Sequence, residues 1–131
     1  MNKLIFPIAL LMLAHCVSTK GFAQQDTMKN IEMRTYYMAL LLKGSNRDQD
    51  SATAAQIQEA HMANINKMAK DGKLAIAGPF LDDGDLRGIF IFCVDSLEEA
   101  KKLAENDPAV KAGRLRIEIH PWLSARGSKL P

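Results

Sequence analysis

The stretch LAIAGPFLDDGDLRGIFIFCV, residues 74–94, decides the fold. Leu74 to Phe80 is short and apolar, and Arg87 to Val94 is rich in Ile, Phe and Val, so both read as strands. Between them Asp82-Asp83-Gly84-Asp85 combines turn-forming carboxylates with a glycine, a strong hairpin signal. In the second strand Phe90 and Phe92 alternate with Ile89 and Ile91. Neither parity is polar, so both faces of that strand need cover.

Upstream of the hairpin, the spacing predicts a helix from about Ala54 to Asp71, stopped by Gly72. Ile57, Ile65 and Met68 form its apolar stripe, with His61 in the middle by i, i+4 spacing. Gly44 to Ser51 is a polar loop. Before it, Arg34 to Leu42 reads as a strand with Tyr36, Met38 and Leu40 on one parity and Tyr37, Ala39 and Leu41 on the other. Downstream, Ser96 with Glu99 three residues later is a capping box opening a second helix. Leu97, Ala100 and Ala104 face inward there, and Asp107 falls on the same side. Pro108 biases Asp107 out of helical backbone and ends the helix. In the last strand Leu115, Ile117 and Ile119 alternate with Arg116, Glu118 and His120; Pro121 and Trp122 close it, and Ser124 to Pro131 reads as a loose tail.

The order βαββαβ predicts an α+β, ferredoxin-like domain: a four-stranded antiparallel sheet with two helices on one face. Strands one and three are apolar on both sides, yet the helices cover one side only. Burying the other face against a second copy, as a homodimer, is the simplest remedy.

The 131 residues do not all belong to that domain. Lys3, the apolar run Leu4 to Val17 and the small residues of Gly21-Phe22-Ala23 form an export signal, residues 1–23, with cleavage before Gln24. The run is shorter than the about 20 residues a membrane span needs. Cys16 would suit a lipoprotein, but bulky His15 stands where a small residue is expected. Residues 24–131 form the mature domain, its core about 34–122, in the periplasm or outside the cell. The chain has 17 basic and 15 acidic residues, and Lys3 and Lys20 leave with the leader. That balance points to no nucleic-acid or anionic-membrane surface. Cys93 is then the lone cysteine of an apolar strand and reads as a buried, inert thiol.

His61 is the most informative residue, because an ionisable group in an apolar stripe is costly unless paired. It reads either as a structural histidine or as an acid–base group. Asp107 reads either as a cap for the turn Pro108 to Gly113 or as the partner of His61. A carboxylate bonded to one imidazole nitrogen fixes the tautomer and leaves the other nitrogen to move protons. Gly78 and Pro79 read first as a strand bend or bulge, and otherwise as a ligand contact. Arg87, Arg116 and His120 read as a solvated strand face or as the lining of a pocket for an anion. Met62 and Met68 read as core fillers. No metal-ligand spacing, phosphate-binding glycine loop or serine-nucleophile motif is present, so no cofactor is expected.

Gln58-Glu59-Ala60-His61, Gly72-Lys73-Leu74, Ala77-Gly78-Pro79-Phe80, Leu86-Arg87-Gly88, Ser96-Leu97-Glu98-Glu99-Ala100, Asn106-Asp107-Pro108, Ala112-Gly113 and Ile117-Glu118-Ile119-His120-Pro121-Trp122 occur in that order. Together they resemble the YCII-related family over about residues 34–122. The resemblance implies a dimeric α+β barrel. It also implies a small-molecule chemistry, since one branch of that family is linked to dehydrochlorination by a His–Asp pair. Here the pair would be His61 and Asp107, serving a cofactor-free lyase or isomerase. Two features depart from the family: the export signal, and Glu59-Ala60 where many members carry Arg or Pro before the histidine. The alternative is a non-catalytic ligand-binding or accessory dimer, and a purely structural module would leave His61 without a purpose.

Overall fold

The computed structural model describes residues 31–128 and 130–131; the export signal and its cleavage site lie outside them. The elements are β1 (Met33–Lys43), α1 (Ser51–Lys70), β2 (Leu74–Pro79), β3 (Leu86–Phe92), α2 (Leu97–Glu105), α3 (Pro108–Lys111) and β4 (Leu115–Ala125). The strands form one antiparallel sheet in the order β2-β3-β1-β4, a ferredoxin-like α+β fold. No helix among the described residues is long and apolar enough to cross a membrane.

Local chemistry sets the helix ends. α1 begins at Ser51, earlier than its apolar spacing predicts, because Asp50 caps it. The Asp50 carboxylate accepts from the Thr53 backbone N–H at 2.9 Å and from the Thr53 hydroxyl at 2.9 Å. Those bonds hold the Asp50 carboxyl below its usual range. At the other end Gly72 has φ +71°, and the Gly72 and Lys73 N–H groups donate back to the Ala69 and Met68 carbonyls. Ser96 caps α2 through the Glu99 N–H, as the capping box predicts. The Glu99 side chain instead takes a hydrogen bond from the Lys73 ammonium at 2.8 Å. That pairing holds the carboxyl low and the ammonium high.

Both helices lie on one face of the sheet. Ala39, Leu41, Phe90 and Phe92 of that face pack with Met68 of α1 and Ala100 and Ala104 of α2. Alternation sends Tyr36, Met38, Leu40, Ile89 and Ile91 to the opposite face, with Arg116, Glu118, His120 and Trp122 of the edge strand beside them.

Four sequence readings need correction. β4 continues through Pro121 and Trp122 and stays paired with β1 as far as Ala125 opposite Met33. An edge strand tolerates a proline, whose missing N–H need not serve the ladder. The tail that follows is not loose at its start. Arg126 N–H donates to the Glu32 carbonyl, and the Tyr36 hydroxyl accepts from Gly127 N–H. Cys93 is half-buried, not buried, since it lies just past the end of β3. The irregularity in β2 falls between Leu74 and Ile76, so Gly78 and Pro79 continue the ladder opposite Ile89 and Gly88.

Candidate active site

α1 brings His61 inward and the α2–α3 junction brings Asp107 to meet it. His61 Nδ1 lies 2.8 Å from Asp107 Oδ1. Pro108 sets up the second half of this contact. It holds Asp107 extended, with ψ 133°, and Asp107 then serves as the N-cap of α3. The same Oδ1 accepts the Ala109 N–H at 2.9 Å, and Oδ2 accepts from the Asn64 amide at 2.9 Å. Asp107 is entirely buried, so these three donors replace the water it has lost. Both readings of Asp107 therefore hold together: it caps a helix and it orients a histidine.

A carboxylate only accepts, so the shared hydrogen belongs to His61 Nδ1 and the lone pair of the neutral ring is on Nε2. Among the described residues no group bonds Nε2, and no buried side-chain nitrogen or oxygen lacks a partner. Nε2 therefore faces open space. His61 lines a cavity of about 310 Å³, and its ring lies over Phe90 at 5.9 Å between centroids. The walls are mainly apolar, from Ile57 and Ile65 of α1, Leu41, Phe90 and Leu115 of the sheet, and Ala77.

Gly78, Pro79 and Arg87 line the same cavity. Gly88 lets β2 approach there, because a Cβ on it would stand 2.7 Å from the Gly78 carbonyl oxygen. The Arg87 guanidinium is bonded to the Asp82 and Gly84 carbonyls and to the Asp83 carboxylate, so it also ties down the hairpin turn. His120 does not join the site. It pairs with Met38 and shares the parity of Arg116 and Glu118, which puts it on the opposite face of the sheet. Arg116 is likewise absent from the cavity and is bonded to Asp85 and Glu118. Met68 is core, whereas Met62 is 46% exposed and forms part of the cavity wall.

The YCII-related domain matches residues 36–123. The chain belongs to that family. No curated protein matches it. Among solved structures, this YCII-related domain is similar to the 5-chloro-2-hydroxyhydroquinone dehydrochlorinase of Burkholderia phenoliruptrix AC1100, in complex with 2,5-dihydroxybenzoquinone. Identity is 24%, covering 68% of this chain and 93% of that one, with a TM-score of 0.50. It is also similar to muconolactone isomerase, at 14% identity over 73% of this chain and 96% of that one, with a TM-score of 0.57. Likeness at this level establishes the fold.

Three polar residues of the YCII-related domain's site escape a reading by sequence alone. Asn64 lies three residues after His61, and that spacing, which places it on the same helical face, was the available signal. Arg47 and Arg114 also line the cavity but stand in a loop and a turn, where no periodicity marks direction.

Proposed function

We propose that the protein is a small-molecule enzyme of the lyase or isomerase type, in which His61 Nε2 moves a proton and Asp107 orients the ring. One observation carries this reading: His61 lines a mainly apolar cavity with one ring nitrogen left without a partner among the described residues, while the other is held by a buried carboxylate that is itself held by Asn64 and Ala109. In an elimination, Nε2 takes a proton from carbon while the leaving group departs from the neighbouring carbon with the bonding electrons. In an isomerisation, the same nitrogen returns the proton to a different carbon. Both reactions are redox-neutral and call for no cofactor. The likeness in fold to a dehydrochlorinase and to an isomerase supports this class of chemistry. The competing reading, a ligand-binding domain with a purely architectural pair, draws on the capping role of Asp107.

The test is to offer the protein 5-chloro-2-hydroxyhydroquinone and muconolactone, within a wider panel of small ring compounds, following absorbance and chloride release. His61→Gln and Asp107→Asn should abolish any turnover without unfolding the protein. If both variants lose stability and neither loses turnover, the pair is architecture and the catalytic reading falls.

The working unit in this proposal is a homodimer, a second copy covering the sheet face opposite the helices, where Met38, Leu40 and Ile89 are half-buried in the single chain. Light scattering should give twice the chain mass, and Leu40→Asp should halve it or prevent folding. Export to the periplasm or beyond is likewise a proposal, resting on residues 1–23; N-terminal sequencing of the secreted protein should begin at or near Gln24.

A further inference from the structure

The charges around the cavity are not those of the rest of the molecule. All six arginines of the chain fall among the described residues. Arg34, Arg87, Arg116 and Arg126 each pair with a carboxylate, of Asp95, Asp83, Asp85 with Glu118, and Glu32 respectively. Arg47 and Arg114 pair with none among the described residues, and both line the cavity. Their partners are neutral. Arg114 Nη1 donates to the Gln49 amide oxygen at 2.7 Å, and Arg47 Nη1 donates to the Arg114 carbonyl at 2.9 Å. Among the described residues no Asp or Glu lines the cavity; Asp107 is buried and bonded to His61, and Asp83 is paired with Arg87.

The two arginines are held in place by the backbone that carries them. Gly44 N–H donates to the Arg114 carbonyl and Asn46 N–H to the Gly113 carbonyl. The Asn46 and Gln49 amides both donate to the Ala112 carbonyl. A Cβ on Gly44 would overlap the Gly113 carbonyl, so only glycine lets the two segments come this close. The β1–α1 loop and the α3–β4 turn are thus clamped together, and one guanidinium comes from each. A guanidinium has five N–H donors, so each arginine keeps several beyond the one it uses. Two positive groups with no carboxylate partner, beside low-dielectric walls, make a site for negative charge.

We propose that the cavity takes a small organic oxyanion, its carboxylate or phenolate oxygens held by Arg47 and Arg114 and its apolar body against Ile57, Ile65 and Leu115. A volume of about 310 Å³ limits the body to roughly a single ring. This rests on reading the cavity as the substrate site, but not on His61 performing any reaction there.

The experiment is equilibrium binding by calorimetry with benzoate and 4-nitrophenolate, each against a neutral counterpart, benzamide and 4-nitroanisole. Saturable binding of at least one anion is expected, about tenfold or more tighter than its neutral counterpart. Arg47→Gln and Arg114→Gln should each weaken the anion by about fivefold or more and leave the neutral ligand alone, whereas Arg126→Gln, far from the cavity lining, should change neither. Arg114→Lys keeps the charge and should retain more affinity than Arg114→Gln, which guards against a loop merely loosened by loss of the Gln49 bond. Which anion binds decides between carboxylate and phenolate. Equal affinity for anion and neutral compound, unaltered binding in both arginine variants, or no saturable binding of either anion up to about 10 mM would each overturn the proposal. His61→Gln should lose turnover whether or not the anion binds, because proton transfer and anion contact fall to different side chains. Anion binding without turnover of any compound would therefore sink the catalytic reading alone, and turnover of neutral compounds with indifference to anions would sink this one alone.

Discussion

The two long helices lie on the same face of the same sheet and do different work. α2 has nine residues, and its Ala100 and Ala104 are completely buried against β-sheet side chains that include Phe92. Small side chains let that helix sit close to the sheet. α1 has twenty residues, yet only His61 and Met68 among them are buried. Ile57 and Ile65, which should complete its apolar stripe, are half-buried and border the cavity. The longer helix is thus the less committed to the core. Its inward face borders the cavity, and the short alanine-faced helix supplies the close packing.

Substitutions can break that contrast. Phe92→Ala, under α2, should cost about 3–5 kcal/mol in denaturant unfolding, since it empties a site with no accessible surface. A loss below about 1 kcal/mol would mean that this end of the layer is as loose as the other. His61→Gln, on α1, should instead lower turnover by about 10²–10⁴-fold while shifting stability by less than about 1 kcal/mol, because the amide can still donate to Asp107. Asp107→Asn falls between the two regions. It puts an amide where three donors converge, so either Asn64 turns its own amide over or a donor faces a donor, and we expect about 1–3 kcal/mol of destabilisation together with lost turnover. Met62→Ala, on the cavity wall, should cost under about 1 kcal/mol, as the side chain is already half in water.

The smallest effect sharpens the comparison through pH. The start of α1 depends on ionised Asp50, whose carboxyl the Thr53 N–H and hydroxyl hold below its usual range. A carboxyl depressed in the folded state stabilises at pH above its unfolded value, and that contribution disappears as pH falls through the folded value. The melting temperatures of the protein and of Asp50→Ala should thus differ most at neutral pH and converge in acid below the ordinary carboxylate range. A difference that persists in strong acid would show that Asp50 acts by something other than its charge.

Much of the layer is legible in the sequence. The hairpin over residues 74–94, the capping box at Ser96 and the glycine stop at Gly72 are local signals, and each appears where the residues place it. The start of α1 was missed because Asp50 and Thr53 lie beyond the apolar period that marks the helix. β4 was cut short because Pro121 usually ends a strand, and only its edge position makes it harmless. The parity of His120 with Arg116 and Glu118 puts it on the face opposite Ile117 and Ile119, away from the cavity.

By itself, the sequence determined which way each side chain leaves its own element. The helical period turns His61 and Asn64 inward together, and the strand period separates Ile119 from His120. These are short-range consequences of backbone geometry, and they hold whatever the elements later touch. The tertiary structure alone decided which groups meet. His61 and Asp107 are 46 residues apart in the chain, and Arg47 and Arg114 come together only because a loop and a turn are clamped through Gly44, Asn46 and Gln49. Loops have no period to announce where a side chain points, and their geometry is set by long-range hydrogen bonds that must be satisfied once the sheet has closed. The acid-free, arginine-lined end of the cavity is for that reason a property of the folded chain and of no segment within it.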